Sequence, residues 1–349
     1  MVEHLQDQVR SAAHEKRALR IRGGGTKDWY GQSLGGEILD TRAHSGIVDY
    51  EPTELVITAR CGTPLVEIEA ALLEQRQMLA FEPPHFGAGA TLGGAIASGL
   101  SGPRRASSGA VRDFVLGAKL LDGKGDVLAF GGQVMKNVAG YDVARLLAGS
   151  LGTLGLLLEV SVKVLPIAVA ETTLCFAMNE PDAIRKLNEW AGQPLPVSAS
   201  CWHEGVLALR LSGARAAVSD AVRLLGGEVM PDCAAFWAGL REQRHVFFGG
   251  DMPLWRLSLP STAGALALGE QLIEWGGAQR WLRAPSDADT AQRIRAAAGA
   301  AGGHATLFRG GDKRVGVFQP LAPAIARIHA RLRAGFDPAG IFNPGRMHQ

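Results

Sequence analysis

Pro83-Pro84-His85-Phe86-Gly87-Ala88-Gly89-Ala90-Thr91-Leu92-Gly93-Gly94-Ala95-Ile96-Ala97-Ser98-Gly99-Leu100-Ser101-Gly102 is the stretch that decides how this chain is read. It contains no Asp, Glu, Lys or Arg and is mostly Gly, Ala, Ser and Thr. Small residues let a backbone approach another group closely, and glycines allow turns that aim several N–H groups at one point. A concavity of that kind suits an anion, most often a phosphate. A second glycine cluster lies upstream, Arg22-Gly23-Gly24-Gly25-Thr26-Lys27. The two together predict a pair of loops clasping one dinucleotide diphosphate.

The whole chain is compatible with this. Its 349 residues suit one large or two ordinary domains, and 47% hydrophobic content supplies a sizeable core. The 45 glycines follow no repeat, so they point to tight turns and ligand-hugging loops rather than to a fibre. A net charge of +2, with no basic stripe interleaved with aromatics, points away from nucleic acid. Cys61, Cys175, Cys201 and Cys233 are far apart with no C-x-x-C, which argues against a cysteine-ligated iron–sulfur cluster within the chain. They read as reduced thiols of a cytosolic protein. Residues 1–16 are charged and lack the apolar core of a secretory signal. Residues 86–103 are uncharged, but their glycines and lack of bulky side chains argue against a membrane span. Residues 146–158 are apolar but short, and Arg145 and Glu159 flank them. The expectation is a soluble chain that meets a membrane only through partners.

Taken in order, Val2, Leu5, Val9 and Ala12 fall at helical spacing, and a strand over 19–22 runs directly into the first glycine loop. Such an arrangement places backbone donors at a strand's carboxyl end, where ligands sit in α/β units. Strands are expected at 38–40, 46–50, 55–59, 78–81, 113–121, 126–130 and 154–165. A helix is expected from Pro64 with Thr63 as its cap, and a short one over 142–147. Asp122-Gly123-Lys124-Gly125 reads as a hairpin turn. From about residue 170 the glycine clusters thin out. Strand 174–178, helix 181–190, strand 206–211 and helix 214–225 then suit a second α+β domain. Trp202, Trp237, Trp255 and Trp281 all fall there, either as core packing or as the lining of a substrate cavity.

Other chemistries fail on spacing. G-x-G-x-x-G from Gly87 and Gly89 meets Leu92, and from Gly23 and Gly25 it meets Asp28, so the Rossmann fingerprint is absent. The one Gly-Lys pair, Gly123-Lys124, is followed by Gly125 in a hairpin turn, which excludes a P-loop. No H-E-x-x-H is present, and the nine histidines show no metal spacing. What remains is the two glycine loops, with Thr26, Thr91 and Ser98 as hydroxyl donors. A glycine-rich loop can also be a plain turn.

Further motifs accompany these loops. They are Arg112-Asp113-Phe114-Val115-Leu116-Gly117, Asn137-Val138-Ala139-Gly140-Tyr141-Asp142, Gly149-Ser150-Leu151-Gly152-Thr153-Leu154-Gly155 and Phe336-Asp337-Pro338-Ala339-Gly340-Ile341-Phe342-Asn343-Pro344-Gly345. In this order the set resembles the vanillyl-alcohol-oxidase / para-cresol-methylhydroxylase (PCMH) type of FAD protein. Within that type the chain is similar to the FAD-binding E subunits of bacterial glycolate oxidases, from about residue 17 to its end. The resemblance implies an α+β fold: a two-lobed PCMH-type FAD-binding domain over 1–168, a ferredoxin-like cap or substrate domain over 169–330, and a segment over 331–349 returning to the first domain. It assigns the pyrophosphate to Gly23, Gly24, Gly25, Thr26 and Lys27. The diphosphate and ribityl chain fall to Ala90, Thr91, Gly93, Gly94, Ser98 and Gly99. The Gly152-Thr153-Leu154-Gly155 strand entry, with Leu157 just after it, packs beside the nucleotide, although a glycine-edged core strand would look the same. Asn343 comes from a segment that returns to the flavin in relatives. Lys27 can offset diphosphate charge and stabilise a reduced flavin, or it can be a solvated loop lysine.

The resemblance has two departures. The first loop has no His or Cys for a flavin linkage, and nothing singles out His44 or His85, so the FAD is expected to be non-covalent. Relatives that oxidise 2-hydroxy acids themselves, including the companion D-type subunit, carry a paired-histidine metal motif in the cap. Here Gly303-His304-Ala305-Thr306-Leu307-Phe308-Arg309-Gly310-Gly311-Asp312 lacks the pair, so no metal site is expected. Arg309 and Lys313 are candidate contacts for a substrate carboxylate, or plain surface charges. The implied function is oxidation of glycolate to glyoxylate within a complex. Its partners would be a metal-motif flavoprotein of the D type and an iron–sulfur subunit, in the cytoplasm or on the inner face of the cytoplasmic membrane. The alternatives are a non-catalytic scaffold in that complex or a stand-alone FAD-dependent 2-hydroxy acid or alcohol oxidase.

Overall fold

The computed structural model describes residues 1–132 and 142–347. The chain runs through α1 (Val2–Glu15), β1 (Leu19–Arg22), β2 (Glu37–Asp40), β3 (Ile47–Glu51), β4 (Val56–Arg60), α2 (Leu65–Glu74), β5 (Gln77–Met78) and α3 (Leu92–Ser98). It continues with α4 (Arg105–Ser108), α5 (Val111–Phe114), β6 (Val115–Leu121), β7 (Val127–Gly131), α6 (Val143–Leu146), β8 (Leu156–Lys163) and β9 (Leu165–Pro166). Then come β10 (Ala170–Ala177), α7 (Glu180–Ala191), β11 (Val197–His203), β12 (Val206–Gly213), α8 (Arg215–Leu225), β13 (Glu228–Val229) and α9 (Cys233–Arg241). The last elements are β14 (Leu254–Ser258), β15 (Gln271–Glu274), β16 (Gln279–Arg283), α10 (Ala288–Ala300), β17 (His304–Arg309) and α11 (Pro323–Phe336). The fold is α+β, in two compact units. One comprises Met1–Leu100, Ala110–Pro166 and Pro320–Gln349; the other comprises Ser101–Gly109 and Ile167–Gln319.

The first unit has two cores. In one, Leu5, Val9 and Ala12 of α1 pack on Leu19 of β1, Leu39 of β2, and Ile341 and Phe342 of the C-terminal segment. β1 and β2 pair in parallel, and Phe342 bridges to Leu19 as a further parallel partner. In the other, Leu65, Ile68 and Leu72 of α2 and Leu92, Ala95 and Ile96 of α3 pack on a five-stranded antiparallel sheet, β3-β4-β8-β6-β7. β4 and β8 are central, which is why both read as near-continuous apolar runs.

Several local readings are corrected here. Residues 92–98 form a short helix rather than loop, with Thr91 as its cap accepting from Gly94 N at 3.3 Å. Thr63 does not cap α2. Its hydroxyl accepts from Gly46 N and donates to Arg60 O, and Pro64 takes the cap position with no side-chain bond. The strand expected over 78–81 stops at Met78, because Glu82 adopts φ 47° and its N–H bonds to Leu79 O in a turn. Asp113 accepts from Ala110 N at 2.9 Å and so holds the single turn α5 ahead of β6. Asn137–Tyr141 lie outside the described residues; Asp142, next to them, caps α6 through Arg145 N.

In the second unit, β10-α7-β11-β12-α8-β13 gives the strand order β13-β10-β12-β11, the ferredoxin-like arrangement. β15, β16, β14 and β17 extend it to one eight-stranded antiparallel sheet. Trp237, Trp255 and Trp281 are buried in this unit, and Trp202 donates to Met178 O at 2.9 Å, which supports the packing reading of the tryptophans. The unit boundaries differ from the expected ones in two places. The chain re-enters the first unit at Pro320 rather than 331. Residues 101–109 belong to the second unit, where Arg104 bonds to Ser212 and Glu171 and Arg105 stacks on Trp275 at 4.4 Å.

Candidate functional site: a glycine-walled cleft

The two glycine loops touch. An ideal Cβ on Gly24 would fall at less than half the normal contact distance from Gly89 O, and one on Gly23 would lie 2.5 Å from Thr91 Oγ1. Gly87 stands against Thr26 in the same way, at 3.1 Å. Only residues without a Cβ let these backbones meet. Lys27 adds a tie, its ammonium donating to His85 O at 3.2 Å and lying 5.6 Å from the Phe86 ring centre. It is therefore anchored to the second loop and is not a freely solvated lysine.

Between the loops lies an open cleft with about 810 Å³ of empty space. Of the proposed cofactor residues, Gly23, Gly24, Gly25, Thr26, Lys27, Thr91, Gly93, Gly94, Ser98, Gly155, Leu157 and Asn343 line it. Ala90 and Gly99 do not. Ala90 is buried behind the wall, and Gly99 ends α3 at φ 66°, packed against Gly149. Arg309 and Lys313 belong to the second unit. The Arg309 guanidinium donates to Gln243 Oε1 at 3.0 Å and to Phe248 O at 3.2 Å, and burial lowers its pKa. Lys313 begins a 3-10 turn with Asp312 as its cap.

The two loops do different work. Among the described residues, no protein acceptor takes the backbone N–H groups of Gly23, Gly24, Gly25 or Thr26. In the second loop, Leu92 N donates to Thr63 O, Gly93 N to Cys61 O and Gly94 N to Thr91 Oγ1. The first loop therefore offers backbone donors, and the second offers a wall of small residues, Thr91, Gly93, Gly94, Ala97 and Ser98, for close approach.

Three segments fix the cleft's floor. Asn343, with φ 41°, accepts from Ile21 N at 2.9 Å and donates to Leu151 O at 2.6 Å. Gly152 makes room for it, since a Cβ there would lie 2.7 Å from Asn343 Nδ2. Gly155 sits at φ 145° against Leu121 O, where a side chain would not fit. The charge at one end is positive. Asp28 accepts from both Arg20 and Arg22, while Lys27 and Arg346 add two further cations. Cys61 lines the cleft, but burial raises its thiol pKa strongly, so it is an inert neutral group. His44 and His85 do not line it.

Free backbone donors, a wall of small residues and surplus positive charge fit a dinucleotide diphosphate. A model of the FAD binding domain matches residues 1–131. Glycolate oxidase subunit GlcE of Escherichia coli K12 is 50% identical over 345 residues, covering 99% of this chain and 96% of that protein. The chain belongs to the PCMH-type FAD-binding family. Glycolate oxidase subunit GlcD of Bacillus subtilis 168 is 32% identical over 149 residues, 43% of this chain and 32% of that one. A solved alkyldihydroxyacetonephosphate synthase superposes with a TM-score of 0.68 over 98% of this chain and 74% of its own, at 14% identity, a likeness of fold.

The sequence reading missed several lining residues of this PCMH-type cleft: Arg22, Thr41, Cys61, Ala97 and Arg346, whereas Gly152, expected beside the nucleotide, lines it. Arg22 and Ala97 lie inside quoted motifs and Arg346 directly follows one, so these three were within reach. Thr41 and Cys61 carry no local signal, and only the sheet brings them to the cleft.

Proposed function

We propose that this chain is the FAD-binding subunit of a complex that oxidises glycolate to glyoxylate. The observation that carries the cofactor is the direct contact of the two glycine loops around one cleft. The reaction rests on near full-length identity to GlcE. The first unit is the FAD domain and the second the cap. Gly23, Gly24, Gly25 and Thr26 donate to the pyrophosphate, Lys27 and Arg346 offset its charge, and Thr91, Gly93, Gly94 and Ser98 form the wall along the ribityl chain. Gly155, Leu157 and Asn343 complete the floor, with Ala90 and Gly99 behind it. The FAD is non-covalent and supplies a two-electron acceptor for the hydride on the glycolate 2-carbon. Glycolate loses two electrons and two protons in becoming glyoxylate, and the electrons leave through an iron–sulfur partner. No described helix is long and apolar enough to cross a membrane. The complex is assigned to the cytoplasm, with any membrane contact made through partners.

A second reading has its own support: this subunit holds FAD while a D-type partner oxidises the substrate. Arg309, the first candidate for a substrate carboxylate, already spends its guanidinium on Gln243 and Phe248. Visible spectra of the purified chain, alone and with its partners, test both readings. A chain that takes up no flavin under any condition refutes the first. Flavin bleached anaerobically by glycolate in the isolated chain refutes the second, and bleaching only when the D-type partner is added supports it.

A further inference from the structure

Arg346 is a buried cation with no ion pair among the described residues. It is 6% exposed and lines the cleft. Its guanidinium donates to two backbone carbonyls, Lys27 O at 3.2 Å and Gln32 O at 3.3 Å. Gln32 N donates back to Arg346 O at 2.9 Å. Asp28, whose charge acts favourably on Arg346, is already shared by Arg20 and Arg22. Burial pushes the Arg346 pKa down to about 10, so it remains charged at neutral pH while poorly solvated. A buried guanidinium held only by carbonyl dipoles is incompletely compensated. The cleft it faces is walled by the glycine loop whose N–H groups have no protein acceptor.

We infer that Arg346 is the positioning residue that recognises the diphosphate of the cofactor, and that through the same guanidinium it couples docking of residues 341–347 to cofactor binding. This rests on the reading that FAD occupies the cleft. The C-terminal segment reaches the first glycine loop by two routes. One is the backbone pairing of Leu19 with Ile341 and Asn343, which needs no ligand. The other is Arg346 on Lys27 O, where a doubly negative diphosphate supplies the missing counter-charge. Binding of a diphosphate therefore tightens the segment, whereas a flavin without phosphate does not.

The test uses the full chain with three probes: FAD, ADP, and riboflavin, which has the ring system but no diphosphate. Arg346→Gln is expected to weaken FAD and ADP by about tenfold to a hundredfold and to leave riboflavin unchanged. Arg346→Lys is expected to recover part of the loss. In the unaltered chain, FAD and ADP slow amide exchange over 341–347 and riboflavin does not. Wild-type affinity for FAD in Arg346→Gln overturns the inference, and so does an equal loss of riboflavin, which marks a purely structural role. Should Arg346→Gln fail to fold, exchange in the unaltered chain decides: equal protection by riboflavin and FAD, or none by either, overturns it. A wild-type chain that binds neither FAD nor ADP refutes the cofactor reading itself.

Discussion

Replacing Gly24 by alanine puts a methyl carbon where the carbonyl oxygen of Gly89 already sits, with Gly89 Cα a further 3.1 Å away. The obstacle is backbone, so no rotamer change relieves it. The loops must part by about 1.5 Å or more to restore ordinary contact distance. Overpacking of this kind costs about 1–3 kcal/mol. If the strain falls on the cofactor-binding geometry, that is about fivefold to 150-fold in FAD affinity. If it falls on the fold, it is about 2–4 °C in melting temperature per kcal/mol. The reciprocal change is the control. A Cβ on Gly89 would lie 3.5 Å from Gly24 O and 3.6 Å from Gly24 Cα, which is ordinary contact. Gly89→Ala is therefore expected to bind FAD within about twofold of the parent. Flavin fluorescence titration and thermal melts of both variants give the comparison. Equal FAD affinity together with an equal melting temperature in the parent and Gly24→Ala, or equal damage from the two substitutions, would refute the claim that these backbones pack directly against each other to shape the cleft.

Three further outcomes are expected. Thr91→Ala removes the α3 cap and should lower stability by about 1 kcal/mol in urea unfolding, with Thr91→Ser restoring most of it; no change in Thr91→Ala would contradict the cap. His44 is buried with Nε2 unpartnered, facing Arg60 and Glu159, and burial holds its pKa below the ordinary 6.5. The unfolded chain then binds more protons than the folded one as pH falls through that range. Stability is full above about pH 6.5 and declines below it; His44→Gln should flatten the decline between about pH 7.5 and 5.5, and an unaltered slope would exclude His44 as its source. Arg309→Gln should lower the melting temperature by loosening Gln243 and Phe248 while leaving FAD affinity and the glycolate KM of the assembled complex unchanged. A selective rise in that KM would restore the substrate role.

The local elements with strong periodicity were legible in the sequence. α1 shows its apolar spacing, and β4 and β8 show the near-continuous apolar runs of central strands. The helix over 92–98 was not legible, because glycine-rich residues carry no helical signal of their own. It forms because Thr91 caps it and because Thr63 O and Cys61 O accept its first N–H groups, and both carbonyls arrive from a different part of the chain. The strand expected at 78–81 was cut short for a related reason: Met78 pairs with Leu165 of β9, but Leu79, Ala80 and Phe81 are buried as the chain enters a turn closed by Glu82 N on Leu79 O.

The sequence by itself determined where a phosphate-binding surface could be made, because only glycine-rich stretches free of acidic residues leave backbone N–H groups accessible to an anion. Tertiary structure decided that the two stretches line one cleft, that the first leaves its backbone donors free while the second supplies a wall of small residues, and that Arg346 joins them from 320 residues away along the chain to Thr26. Chain order does not encode that convergence. It follows from β1 pairing with β2 on one edge and with the C-terminal segment on the other, which brings both ends of the first unit to the same glycine loop.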